Sequence, residues 1–305
     1  MTSLLIGRGG LLGSAMARHL GLPSGRTGVD WSNPRSARDA LVATIRRHHA
    51  GPADAPRSIV WCAGTGFVGA TPADLAAESE LLQVLLDEQR PFATSTTITL
   101  ASSAGAIHAG GPNPASEWSA PTPISRYGDE KLAQEALVAA WCHEHGGRAA
   151  VARMSNLYGP GQNLAKPQGL ISRLVHASLL DAPLTIFVPL ETTRDYLYVD
   201  DAATTLTDLG HAVASLPSGT VLTKIVASFR LTTVGSIVAE LRRIRKKRPP
   251  VVFASTATTG IQPRALSFRS VVLPELDARP RTTIPAGIAR VLRDQLAALV
   301  AGRLR

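Results

Sequence analysis

The chain predicts an α/β fold: a doubly wound parallel sheet with a smaller C-terminal domain. Two features of its 305 residues carry that expectation. Through the first two thirds, short apolar runs alternate with amphipathic stretches of helical length, the trace left by successive strand-helix-strand units. The first apolar run, Leu4-Leu5-Ile6, passes directly into glycines at 7, 10 and 13, as a strand-to-helix turn requires.

Taken in order, strands are expected near 2–7, 27–30, 57–63, 95–102 and 148–154, and helices near 12–20, 35–49, 72–90, 126–145 and 169–180. After the glycines an Ala/Leu-rich helical stretch runs to Leu20. Glycine permits positive φ and a close approach of backbone to a ligand. The backbone at Gly7, Gly10, Leu11, Leu12 and Gly13, with a helix N-terminus behind it, therefore suits a dinucleotide pyrophosphate. Between this helix and Ser58-Ile-Val-Trp-Cys62 there is room for only one strand-helix unit, which leaves Asp30 with two readings. At the end of a second strand it accepts hydrogen bonds from an adenosine ribose and repels a 2′-phosphate, favouring NAD over the alternative NADP. At the end of a later strand it meets the adenine edge, and Arg8, Arg26 or Arg35 is left to hold a phosphate. The strand ends at Ala63-Gly64 and Ser102-Ser103 fall on the same sheet edge as Gly7, where ligands of such sheets sit. Beyond Gln162 the chain is punctuated by prolines and strand periodicity weakens. Residues 1–162 are expected to form the dinucleotide-binding domain, with 193–226 returning to it, and 163–192 and 227–305 the substrate-binding domain.

The formal net charge is +9, with a pI of about 10.2. Arginines are dispersed, apart from Arg242-Arg-Ile-Arg-Lys-Lys-Arg248, which closes an amphipathic stretch beginning near Thr232 and complements a helix C-terminal dipole. No aromatic residues interleave with the cations for base stacking, so nucleic acid is not an expected partner. A small molecule carrying two phosphates suits the same basicity. Cys62 and Cys142 show neither metal spacing nor a disulfide framework, which fits a reducing cytoplasm. The N-terminal apolar run is too short for a signal peptide, and no stretch reaches the ~18 apolar residues of a membrane span. His48-His49 and His143-Glu-His145 lie near helix ends without a third ligand, so no metal is expected. The Ala/Arg/Gly/Pro-rich usage points to a GC-rich bacterial genome.

Tyr127 and Lys131 stand four apart in a helical stretch, which puts phenol and ammonium on one face. A lone tyrosine ionises near pH ~10 and is a poor base at neutrality. A fixed cation beside it favours the phenolate and makes it a usable proton acceptor.

Six segments in order now carry a resemblance: Gly7–Gly13, Trp61-Cys-Ala63-Gly64, Leu100-Ala-Ser102-Ser103, the Tyr127/Lys131 helix, Arg153-Met-Ser-Asn156-Leu-Tyr158-Gly-Pro-Gly-Gln162, and Thr193-Arg194-Asp195-Tyr-Leu-Tyr-Val-Asp200-Asp201. The chain resembles an extended short-chain dehydrogenase/reductase of the NAD-dependent epimerase/dehydratase family, close in type to nucleotide-sugar 4-epimerases. That resemblance implies a Rossmann-type sheet, bound NAD and a nucleotide-diphosphate sugar as substrate. It also implies a serine that bonds the substrate hydroxyl, a proton-accepting Tyr127, and a Lys131 that also holds the nicotinamide ribose. Counting from the strand end selects Ser103 as that serine. Counting back from Ile107-His108-Ala109, which matches Val-Tyr-Gly of relatives, selects Ala104, so either Ser102 or Ser103 is left to reach the site. His108 takes the place of a Tyr lining the sugar pocket. Asn156 matches an asparagine on the substrate pyrophosphate, Arg194 an arginine on its phosphates, and Arg264 a second one, although Leu266 stands where an acid is expected. A guanidinium fork suits a diphosphate.

Ala104-Gly105-Ala106 replaces the Asp-Glu pair of 4,6-dehydratases, leaving no acid and base for elimination of water. What remains is reversible oxidation of an alcohol at C4: an epimerase with retained NAD, or an NADPH-dependent 4-keto-sugar reductase. A catalytically silent dinucleotide sensor or RNA-binding relative is the reading from another class, and the intact Tyr127 and Lys131 speak against it. Relatives commonly dimerise through helices corresponding to residues near 72–90 and 126–145, so a homodimer is expected.

Overall fold

The computed structural model describes residues 2–23, 29, 31, 33–49, 55–64, 66, 69–254 and 263–304. The expected strand near 27–30, with Arg26 and Asp30, lies outside the described residues in all but Val29. Along the chain run β1 (Thr2–Ile6), α1 (Leu11–His19), α2 (Pro34–His48), β2 (Arg57–Trp61), α3 (Pro72–Gln89), β3 (Thr96–Ser103), α4 (Ala104–Ile107), α5 (Arg126–His145) and β4 (Arg148–Met154). The second part holds β5 (Asn156–Tyr158), α6 (Leu170–Leu180), β6 (Leu184–Ile186), β7 (Thr193–Tyr198), α7 (Val199–Ala214), β8 (Val221–Val226), β9 (Leu231–Thr233), α8 (Val234–Arg245), β10 (Val251–Phe253), β11 (Ala265–Leu266) and α9 (Ile284–Val300).

Among the described residues the main sheet has the order β1-β2-β3-β4-β8 and is parallel throughout. Each strand is covered on both faces, which is why it reads as an apolar run rather than an alternating one. On one face Leu41, Ile45, Leu82, Leu85, Val138 and Trp141 from α2, α3 and α5 pack on Ile6, Ile59, Trp61, Ile98 and Leu100. On the other, Met16 of α1 and Leu206, Leu209 and Val213 of α7 pack on Leu5, Val60, Ala150 and Ala152. Helices on both faces make the sheet doubly wound.

Helix ends follow local chemistry. Thr71 caps α3 by accepting the Asp74 N–H, Ser125 caps α5 by accepting that of Gly128, and α5 stops at Gly146 with φ of 77°. The basic run closes α8 as expected: Arg242, Arg243 and Arg245 fill its last turn, Arg243 pairs with Glu240, and Arg245 donates to the Ser178 carbonyl.

The second part builds its own core from Tyr158, Ile171, Leu174, Val175, Ile237, Leu241, Ile288 and Val291. Its small sheet runs β11-β7-β5, with β9 antiparallel on β7. Here the structure corrects one boundary. Residues 193–198 do not return to the main sheet: β7 pairs with β5, and only α7 and β8 go back. The parallel pairing of Asn156–Tyr158 with Tyr196–Tyr198 buries three tyrosines together in edge-to-face contacts.

The glycine turn has no room for side chains at Gly7 and Gly13. Gly7 has φ of 91°, and a Cβ there would overlap the Cys62–Ala63 backbone. A Cβ on Gly13 would overlap the Gly7 carbonyl oxygen. Gly13→Ala is therefore expected to lower the unfolding free energy by about 1–3 kcal/mol, since backbone rather than a flexible side chain must move. A urea melt of the variant against the parent checks this.

Candidate functional site

The site lies where β1, β2 and β3 end. Gly10 opens α1 with no side-chain cap, and its N–H bonds back to the Gly7 carbonyl at 3.1 Å. The first turn of α1, at Leu11, Leu12 and Gly13, thus presents backbone donors at the helix N-terminus. Directly beneath, Ala63 and Gly64 continue from β2, and the Gly64 and Gly66 backbones border the carboxylate of Glu78. A Cβ on Gly66 would also stand 3.3 Å from the ring of Tyr127. A chain of close approaches therefore leads from the glycine turn to the phenol: Gly7 to Cys62–Ala63, on to Gly66, and from Gly66 to Tyr127.

Tyr127 is half-buried on the first turn of α5, and Lys131 lies one turn on with its Nζ 5.6 Å from the phenol ring centroid. The ammonium does not point to bulk water. Lys131 is 5% exposed and donates to Gln134 Oε1 at 2.9 Å, with Glu78 Oε2 at 3.5 Å.

Ser103 ends β3, and its Oγ accepts the Ala106 N–H at 3.2 Å, capping α4. This small helix abuts the start of α5, where a Cβ on Gly128 would stand 2.6 Å from the Ala106 carbonyl. Ser103 and Tyr127 consequently sit on adjoining helix starts. Ala104, the other register, is fully buried against Ile225, Ala227, Leu266 and Phe268.

Two of the expected site residues have partners within the protein. Ser102 points to the opposite face from Ser103, as successive strand residues must, and donates to Glu135 Oε1 at 2.6 Å. His108 lines no open pocket: it is fully buried, with Nε2 at 3.2 Å from Arg153 Nη1. Arg153 in turn forks onto Glu135, Nη2 donating to Oε2 at 2.6 Å and Nε to Oε1 at 3.0 Å. Burial, and secondarily the Arg153 charge, lower the pKa of His108 and keep the ring neutral. The Arg153–Glu135 pair is buried, so removing either partner would leave an uncompensated charge.

The three residues expected at substrate phosphates gather on the small sheet. Asn156 is exposed and faces Tyr196 in register, Arg194 is on β7 beside Leu266, and Arg264 precedes β11, its carbonyl accepting the Thr193 N–H at 2.9 Å. The acids flanking Arg194 are used elsewhere: Asp195 accepts from the backbone of Ser228 and Arg230, and Asp200 pairs with Arg18. Burial lowers the Arg194 pKa, a cost that an anionic ligand would offset.

Sequence reasoning missed Glu78, Gln134, Glu135 and Arg153. Signals existed: Lys131, Gln134 and Glu135 share the helix face of Tyr127, and Glu78 interrupts the leucine stripe Leu75, Leu82, Leu85 and Leu86. Among the described residues no group of three or more His, Cys, Asp or Glu forms a metal site, and no helix is long and apolar enough to cross a membrane.

The profile of the NAD dependent epimerase/dehydratase family matches residues 3–222. The chain is 34% identical over 104 residues to dTDP-4-dehydro-6-deoxyglucose reductase of Escherichia coli, covering 34% of this chain and 33% of that protein. It is 35% identical over 108 residues to a putative UDP-glucose 4-epimerase of Methanocaldococcus jannaschii, 35% of each chain. The matched segments thus span about a third of these relatives' lengths. Over 98% of its length the chain superposes on all of the Thermus thermophilus UDP-glucose 4-epimerase solved with NAD, with a TM-score of 0.81 at 21% identity, a likeness of fold.

The buried imidazole has a consequence for acid stability. A free imidazole titrates near ~6.5, and the folded value of His108 lies lower. As pH falls the unfolded chain takes up the proton first, so stability present above about pH 6.5 is lost as pH falls through the folded value. The unfolding free energy is expected to fall more steeply between about pH 6.5 and 5 in the parent than in His108→Gln. His49 and His176, also lowered by burial, contribute to the slope that remains. Urea melts across that range measure it.

Proposed function

Because the chain belongs to the NAD dependent epimerase/dehydratase family, we propose that it is an enzyme that oxidises and reduces a nucleotide-linked sugar at C4 with NAD. One observation carries the reading: Tyr127 and Lys131 are packed together, and the Tyr127 ring borders Gly66, in the segment whose Cys62–Ala63 backbone lies against Gly7.

The cradle fits a dinucleotide. Gly7 and Gly13 have no room for a Cβ, the first turn of α1 offers backbone N–H groups, and Ala63 and Gly64 border the same groove. Gly7, Gly10, Leu11, Leu12, Gly13, Ala63 and Gly64 would hold the cofactor, and NAD when bound supplies reversible hydride acceptance. Tyr127 takes the sugar hydroxyl proton at its Oη and returns it when the carbonyl is reduced. Lys131 keeps a positive charge beside the phenol. Ser103, at the adjoining helix start, keeps its hydroxyl hydrogen available for the sugar oxygen while it caps α4. Asn156, Arg194 and Arg264 on the small sheet are read as the diphosphate contacts, with bidentate guanidinium geometry favouring that ligand. On this reading 1–162, with the return through α7 and β8, binds the dinucleotide, and the remaining C-terminal part binds the nucleotide sugar.

The match to a reductase over 104 residues favours a second reading, one-way reduction of a 4-keto sugar with a released cofactor. Absorbance of the purified protein separates the two: retained adenine absorbance supports the epimerase, its absence the reductase. Tyr127→Phe is expected to lower turnover of a UDP- or dTDP-sugar by at least ~100-fold while leaving NAD affinity within about twofold. Unchanged turnover would remove Tyr127 from the chemistry.

A further inference from the structure

We infer that Glu78 is a positioning residue that holds Lys131 at Tyr127 and offsets its charge, so that the ammonium is shared between a fixed carboxylate and the phenol. The inference rests on the reading of Tyr127 as the proton acceptor.

Glu78 stands on the buried face of α3, among leucines, with 4% of its surface exposed. A carboxylate at that depth costs free energy unless it is paired and hydrogen-bonded. Its two oxygens divide the task. Oε1 accepts the Gly66 N–H, and Oε2 faces Lys131 Nζ and Gln134 Nε2, each at 3.5 Å. Gln134 completes a triangle by accepting from Lys131. One side chain thus ties α3 to α5 and to the segment after β2 that borders Tyr127. Gly64 and Gly66 make room for it, since a Cβ on either would stand within 3.0–3.2 Å of a carboxylate oxygen.

Among the described residues the other charged groups nearby are committed or remote. Glu130 accepts from Ser79, Glu135 is paired with Arg153, and His108 lies against Arg153. Arg126 and Asp129 at the start of α5 are exposed, and burial pushes the Cys62 thiol up to about 12. Glu78 is therefore the carboxylate that balances Lys131. A cation favours a neighbouring phenolate, and an anion beside that cation opposes the effect. Removing the negative charge while keeping the shape should leave the phenol facing an undivided ammonium.

The experiment reads tyrosinate absorbance against pH for the parent, Glu78→Gln and Glu130→Gln, each with the spectrum of its Tyr127→Phe counterpart subtracted. In Glu78→Gln the Tyr127-dependent rise is expected to reach half-height at roughly tenfold lower hydroxide concentration than in the parent. Glu130→Gln is expected to coincide with the parent. A Glu78→Gln curve that overlays the parent overturns the inference and leaves Tyr127 as the base. If Tyr127→Phe removes no rise from any of them, the reading of the base falls as well. Should Glu78→Gln not fold, thermal melts of Lys131→Met, Glu78→Leu and the double variant decide. Charge balance requires the double variant to melt above Lys131→Met, and simple additive losses overturn it.

Discussion

The site depends on burying an ammonium at the C-terminal edge of a parallel sheet. Lys131 is removed from water along nearly its whole length, and the structure accepts this only because Gln134 and Glu78 receive it. An isolated charge at that depth would neutralise or unfold its surroundings. Much else in the local architecture answers to that demand. Helix α3 gives up a place in its leucine stripe to a carboxylate, and the segment after β2 is glycine so that its backbone can lie against that carboxylate. Tyr127 is carried to the same spot one helical turn earlier.

A second buried ion pair supports the floor of the site. Glu135 follows Lys131 by one turn on α5 and takes the Arg153 fork, with Ser102 and His108 as further partners. The network joins β3, α4, α5 and β4 beneath the place where Ser103 emerges. Such a network specifies the relative placement of those elements more than it stabilises them, because desolvation offsets most of the attraction.

The second part of the chain brings Arg194 and Arg264 onto adjoining segments. Strand β7 leaves the main sheet to pair with β5 and β11, and this pairing places Arg194, Arg264 and Asn156 on neighbouring strands although they are far apart in sequence. Asp195 and Asp200, close to Arg194 in sequence, bind the Ser228 to Arg230 backbone and Arg18, so they leave the guanidinium to other partners. On the proposed function the glycine turn holds the dinucleotide, Tyr127 accepts the proton and the small sheet meets the diphosphate, so that binding energy from both ligands positions the reacting carbon.

By itself the sequence determined the local elements and the pair that matters most. Apolar runs before glycine, capping residues before helices and the four-residue spacing of Tyr127 and Lys131 all act within a few residues, so they are legible without tertiary contacts. Tertiary structure alone decided where the second half of the chemistry goes. Ser102 faces Glu135 while Ser103 caps α4, because one residue of strand register reverses a side chain. His108 is sealed beneath Arg153, and β7 joins a different sheet from α7 and β8. Glu78 on α3 meets Lys131 on α5 with a whole strand of the main sheet between them in the chain. Long-range ion pairs and sheet membership depend on which surfaces pack together, and no local pattern encodes that choice.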